Sequence, residues 1–176
     1  QSPFPVPEKI VSALKDNAFR KEYLPMQGLD KLRNSISKYL IKKTGINYSK
    51  NNIIITPGSK EAMLLMHVAF NGEIILPAPS WVSYAPQAII GSNKIHWIQT
   101  SRENNWFPSP KELENKIKLV GKNKNIILIL NSPNNPSGTI CKNLKQLAVI
   151  AEKYKIIILS DEIYTDLTFC NKYESI

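Results

Sequence analysis

Residues 126–138 read Ile-Ile-Leu-Ile-Leu-Asn-Ser-Pro-Asn-Asn-Pro-Ser-Gly, and this stretch decides the fold. Its first five residues are apolar with no polar alternation, so both faces of the segment must be covered. A strand buried on two faces belongs inside a parallel sheet that carries helices above and below. The eight residues that follow hold two prolines, a glycine and three asparagines, the composition of a rigid loop at a strand end.

The same alternation extends outward from this point. Downstream, Asn143 to Tyr154 reads as an amphipathic helix with Leu144, Leu147, Ala148 and Ala151 on one face, and Ile156 to Leu159 as a second doubly buried strand. Upstream, Ser109 to Leu119 reads as a helix with Ser109 as cap and Pro110 in the first turn. Lys94 to Thr100 and Glu73 to Leu76 read as strands, Ser59 to Phe70 as a helix, and the segment after Pro79 as the start of another. Ile53 to Thr56 is a further candidate strand, and Leu29 to about Lys43 a helix ended by Gly45. Strand and helix in alternation predict the α/β class, a mostly parallel sheet with helices on both faces and right-handed crossovers. In such sheets ligands bind beyond the carboxyl ends of the strands.

Bulk properties exclude several functions. The 176 residues are 43% apolar and 21% charged, ordinary for a globular domain and enough for a sizeable core. No run approaches 18 apolar residues, and the start QSPFPVPEKI lacks the basic-then-apolar pattern of a signal peptide. Cys141 and Cys170 have no metal or redox spacing and read as plain thiols, which places the chain in the cytoplasm. The net charge of +9 is spread along the chain, no basic run exceeds two residues, and no aromatic residues interleave with it. A solvated surface explains this better than a nucleic-acid interface.

Four loops after the expected strands carry candidate chemistry. Gly58-Ser59-Lys60 opens a helix, where free N–H groups and the helix dipole can hold a phosphate; the plainer reading is a turn with Ser59 as N-cap. Trp81 follows Pro77-Ala78-Pro79-Ser80, placed either for packing or to face a planar ligand. Asn135 stands in a loop stiffened by Pro133, Pro136 and Gly138, which could equally be a capped turn into the next helix. Asp161 ends an apolar strand; a carboxylate there wants a cation or several donors, unless it is a loop aspartate. Tyr164 lies three residues on and can aim at the same place.

Taken together, the blocks YLPMQGLDKLR, TPGSKEA, APSWVSY, NSPNNPSGT and SDEIYTDLTF resemble the class I/II aminotransferases among the fold-type I pyridoxal 5′-phosphate enzymes, in the family's order and from Pro5 to about Phe169. The aspartate/aromatic branch is the more similar one. The resemblance implies that Asp161 pairs with the pyridine nitrogen of the cofactor, that Asn135 and Tyr164 bond its phenolic oxygen, and that Trp81 stacks on its ring. It implies that Gly58, Ser59 and Lys60 cradle the phosphate, and that Tyr23 reaches the phosphate in a neighbouring subunit, hence a homodimer with shared sites. Ser137 stands where the family usually has threonine. No lysine after Asp161 has the context of the family's Schiff-base lysine; Lys172 does not. The expectation is therefore a fragment, with residues 1–28 leading into a partial cofactor-binding large domain at 29–176, no catalytic residue within it, and no activity by itself. The full-length protein would transfer an amino group from an amino acid to a 2-oxo acid, without nucleic acid, membrane or metal. Another reaction on the same cofactor, such as carbon–sulfur lysis or a synthase reaction, and an aminotransferase-like regulatory domain are the alternatives.

Overall fold

The computed structural model describes residues 4–169 and 174–176, so Cys170 and Lys172 lie outside it. The chain divides into two compact units, Gln1–Ile55 and Thr56–Ile176.

The N-terminal unit holds α1 (Glu8–Asn17), which buries none of its residues, and α2 (Asp30–Thr44), closed by Gly45 in the left-handed region at φ 76°. The sequence reading anticipated α2 and its glycine stop but not α1. Arg33, 4% exposed, explains why residues 27–55 stay together. Its guanidinium donates to the Gln27 side-chain oxygen at 2.8 Å, to the Lys50 carbonyl at 3.1 Å and to the Asp30 carboxylate, which Lys50 Nζ also reaches at 2.7 Å. Residues 53–56 do not form the expected strand. Ile53 is extended, but the Ile55 N–H goes to the Gln27 carbonyl at 3.0 Å, so the segment pairs with a loop instead of joining a ladder. β-branched residues favour extended backbone without specifying a strand partner.

The second unit runs α3 (Ser59–Ala69), β1 (Glu73–Ala78), α4 (Tyr84–Ile90), β2 (Lys94–Gln99), α5 (Pro110–Val120), β3 (Ile126–Asn131), α6 (Leu144–Tyr154) and β4 (Ile157–Asp161). The four strands form one parallel sheet in the order β2-β1-β3-β4. Side chains alternate across it with the strand period of two. Ile74, Leu76, Ile127 and Ile129 face Met63 of α3 and Tyr84 and Ala88 of α4. Ile75, Ile126, Leu128 and Leu130 face Leu113 and Ile117 of α5 and Leu144, Leu147 and Ala151 of α6. The sheet is thus covered on both faces, and β3 is buried along its whole length, as its uninterrupted apolar run requires. β4 departs from the expectation of a doubly buried strand. It lies at the sheet edge with Ile157 46% exposed, because among the described residues no strand pairs with its outer side.

Local signals account for the helix ends. Ser109 caps α5 in a reciprocal box: its hydroxyl accepts from the Glu112 N–H at 3.3 Å, and the Glu112 carboxylate accepts from the Ser109 N–H at 2.7 Å. Within α3, His67 is completely buried and neither ring nitrogen has a hydrogen-bond partner among the described residues. Burial pushes its pKa down. Among the described residues no helix is long and apolar enough to cross a membrane, and no cluster of His, Cys, Asp and Glu could hold a metal ion.

Candidate active site

The sheet order places a crevice at the carboxyl ends of β1 and β3. From β1 the chain turns into α4 on one face of the sheet, and from β3 into α6 on the other. Two neighbouring strands whose exits diverge leave a gap between their loops, where open α/β sheets bind ligands. A cavity of about 280 Å³ lies there, lined by Gly58, Ser59, Lys60, Trp81, Tyr84, Asn131, Asn135, Asp161, Ile163 and Tyr164. Seven of the eight residues singled out from the sequence meet in it. The eighth, Tyr23, belongs to the N-terminal unit, where its side chain is fully exposed.

One wall is the start of α3. The N-cap is Gly58, at φ 105° and ψ 157°, so the plainer sequence reading, with Ser59 as cap, does not hold: Ser59 is the first helical residue. That backbone conformation suits glycine, and a Cβ added there would meet no atom within 4 Å, so the turn faces open space. The first N–H groups of α3 have no intrahelical acceptor by geometry and carry the positive end of the helix dipole. Lys60 Nζ stands 5.8 Å from the centre of the Trp81 ring. Trp81 is partly buried and meets Tyr84 edge-to-face, with ring centres 5.4 Å apart at 78°.

The opposite chemistry comes from β3, β4 and their loops. Asp161 Oδ2 accepts the Tyr84 hydroxyl at 2.7 Å, and Oδ1 accepts the Ile163 N–H at 3.3 Å. Two donors leave lone pairs free on a carboxylate. Burial, reinforced by the bond to Asp161, pushes the Tyr84 phenol pKa up, so the phenol keeps its proton. Asn131, buried at the end of β3, ties the two strand ends together: its amide donates to the Asp161 carbonyl at 2.9 Å and its oxygen accepts the Asn135 N–H at 2.7 Å. Asn135 in turn donates its side-chain amide to the Tyr164 hydroxyl at 3.5 Å. The loop beyond is fixed by Asn134, whose oxygen accepts from the Ser137 N–H at 3.1 Å and the Ser137 hydroxyl at 2.8 Å. Ser137 therefore closes a turn through its hydroxyl, a role threonine fills equally.

Tyr84, Asn131 and Ile163 also line the cavity, and the sequence reading did not single them out. Asn131 was legible as a polar residue ending an apolar strand. Tyr84 was not, since its partner stands 77 positions away. Backbone donors on one wall, a flat indole, a fixed carboxylate and an amide–phenol pair together equip the cavity for an anionic, planar heterocycle.

Residues 1–175 match the family model described as aminotransferase class I and II. The aspartate aminotransferase of Thermotoga maritima is 32% identical over 180 residues, covering 99% of this chain and 46% of the relative. The aspartate aminotransferase of Pyrococcus horikoshii is 40% identical over 169 residues, covering 92% and 42%. Among solved structures, the Thermus thermophilus aspartate aminotransferase with maleate superposes with a TM-score of 0.89 at 26% identity, covering 98% of this chain and 46% of that one. The Thermotoga maritima aspartate aminotransferase does so at 0.90 and 29%, covering 98% and 47%. The chain thus spans about half the length of the relatives it matches. With the sheet, the cleft and the family model in agreement, this chain belongs to the class I and II aminotransferases.

Proposed function

We propose that the full-length protein is an aminotransferase that uses pyridoxal 5′-phosphate to move an amino group from an amino acid to a 2-oxo acid. The observation that carries this reading is the convergence of Gly58, Ser59, Lys60, Trp81, Asn135, Asp161 and Tyr164 on one cleft. Its donor set fits the cofactor: an open glycine turn at a helix start suits a phosphate, and a carboxylate across the cleft suits a ring nitrogen. When bound, this cofactor supplies a pyridinium ring that withdraws electrons from the carbon losing a proton.

In this reading the chain's own residues bind and orient. The N–H groups that open α3, with Lys60, hold the phosphate. Trp81 covers one ring face and keeps water from it. Asp161, as a carboxylate, holds the proton on the ring nitrogen. Asn135 and Tyr164 hydrogen-bond the phenolic oxygen and fix the ring's orientation. We assign no lysine of residues 1–176 as the covalent, proton-transferring group. Residues 29–176 serve as part of the cofactor-binding domain, with 1–28 leading into it. The fully exposed Tyr23 supports a homodimer in which it reaches the neighbouring site. We place the protein in a reducing cytoplasm, a setting with which the free thiol of Cys141 agrees.

The test is amine transfer by the full-length protein. Relatives named aspartate aminotransferase make aspartate with a 2-oxo acid the first pair to try. One new amino acid per amino acid consumed is the expected result, with borohydride fixing the cofactor on a single lysine. Keto acid release without an amine acceptor, or no cofactor uptake, would overturn the proposal.

A further inference from the structure

One short helix touches three parts of the cleft wall. On α4, Tyr84 and Gln87 stand three positions apart and so share a face. Both are buried, 1% and 5% exposed. Tyr84 donates its hydroxyl to Asp161 Oδ2 at 2.7 Å, while Gln87 Nε2 donates to the Lys60 carbonyl in the first turn of α3 at 2.8 Å. The Tyr84 N–H also bonds the Trp81 carbonyl at 3.2 Å, so the indole is anchored to the same helix start.

We propose that Tyr84 and Gln87 are positioning residues: from one face of one helix they hold the ring-nitrogen carboxylate and the phosphate-facing turn in register across the cleft. This rests on the cofactor reading above and goes beyond it, since neither residue is given any contact with the cofactor.

The simpler explanation is that both are core residues that happen to be satisfied. Gln87 argues against it. Its side-chain oxygen is buried without a partner among the described residues. An amide with one end stranded is a worse core residue than leucine or methionine of similar size, because the orphaned acceptor has lost its water. What the amide adds is its N–H, directed at Lys60. Tyr84 makes the same point. A phenylalanine would fill its place beside Trp81, Met63 and Ile129, and the hydroxyl adds only the bond to Asp161. Burial keeps that phenol protonated and therefore a permanent donor. It can orient Asp161 without competing for its charge.

The consequence is a division of labour that binding can read. Removing the Tyr84 hydroxyl should damage recognition of the ring nitrogen alone, and removing the Gln87 amide recognition of the phosphate alone. The probes are pyridoxine 5′-phosphate, its 1-deaza analogue without the ring nitrogen, and pyridoxine without the phosphate. All three lack the aldehyde, so covalent attachment plays no part. Each is titrated calorimetrically into the full-length apoprotein and its variants.

Tyr84→Phe should bind pyridoxine 5′-phosphate about tenfold more weakly and the deaza analogue as well as before. Gln87→Leu should bind both phosphorylated probes about three- to tenfold more weakly and pyridoxine unchanged. Equal losses for all three probes, or no loss for any, would overturn the proposal, because a purely structural role cannot tell the probes apart. Tyr84→Met and Gln87→Met replace either variant that loses its cooperative melt. Should the wild type bind none of the three probes, the cofactor reading fails and takes the proposal with it. Wild-type binding with unselective variants removes only the positioning role.

Discussion

Acid should loosen this fold earlier than its carboxylates alone would allow, and His67 is the reason. The side chain is completely buried in α3, and neither ring nitrogen has a partner among the described residues. Desolvation pushes its pKa below the ordinary histidine value. As pH falls through about 6.5, the unfolded chain takes up a proton at this position while the folded chain does not. Stability therefore falls with pH, with a slope approaching about 1.4 kcal/mol per pH unit until the folded-state pKa is reached. Asp30 and Glu114 also have lowered pKa values, each held down first by a hydrogen bond from lysine, Lys50 and Lys153 respectively. Their contributions are lost as pH falls from the normal carboxylate range to below it, so they do not enter between about pH 5 and 6.5, and comparison with a His67 variant separates this histidine from His96, which meets Glu73 at 2.6 Å. His67→Leu has similar volume, removes both stranded nitrogens and should raise stability at neutral pH by about 1 kcal/mol. Urea unfolding of the wild type and the variant across about pH 5 to 8 is the assay. The wild-type midpoint should drop below about pH 6.5 and the variant's should stay flatter. Parallel curves would refute the reasoning.

Two further outcomes bear on the cleft. Asp161→Ala in the full-length protein should lower kcat by about a thousandfold or more, the scale on which one pre-organised electrostatic partner acts. Cofactor occupancy is checked by absorbance, and near-normal turnover would remove Asp161 from the assigned role. Tyr23→Phe should weaken cofactor retention by about 1.5–3 kcal/mol, the worth of one hydrogen bond to a charged group. Mixed dimers of Tyr23→Phe and Asp161→Ala subunits should regain one intact site; no recovery in demonstrated hybrids would count against a shared site.

Much of the fold was legible because each signal was local. The apolar run at 126–130 has to be covered on both faces, and β3 is. Ser109, Pro110 and Glu112 specify the start of α5 through bonds spanning three residues. The reading failed where partners decide. Ile53 to Thr56 has strand composition but finds only the Gln27 carbonyl, and Ile157 is half exposed because edge or centre is a property of the sheet. The site followed the same rule. Asp161 announced itself as a carboxylate ending an apolar strand, yet Tyr84, the donor that holds it, comes from a helix with no sequence mark of that duty. Gln87 was hidden for the same reason, since its acceptor is a backbone carbonyl.

The strand order, which sets β1 between β2 and β3, also implies an order of assembly. β1 can pair with β2 soon after both exist, but its other edge must wait for the α5 crossover and β3. Closing such long-range parallel pairs is slow, because chain entropy is lost before the contacts that repay it form. β4 docks on β3 only after that and brings Asp161 with it. Until then the phenol of Tyr84 lacks its carboxylate, and the crevice has one finished wall. A chain leaving the ribosome N-terminus first thus builds the Gly58 turn early and adds the Asp161 carboxylate opposite it last. Any ligand that needs both walls will recognise the assembled sheet and ignore its precursors.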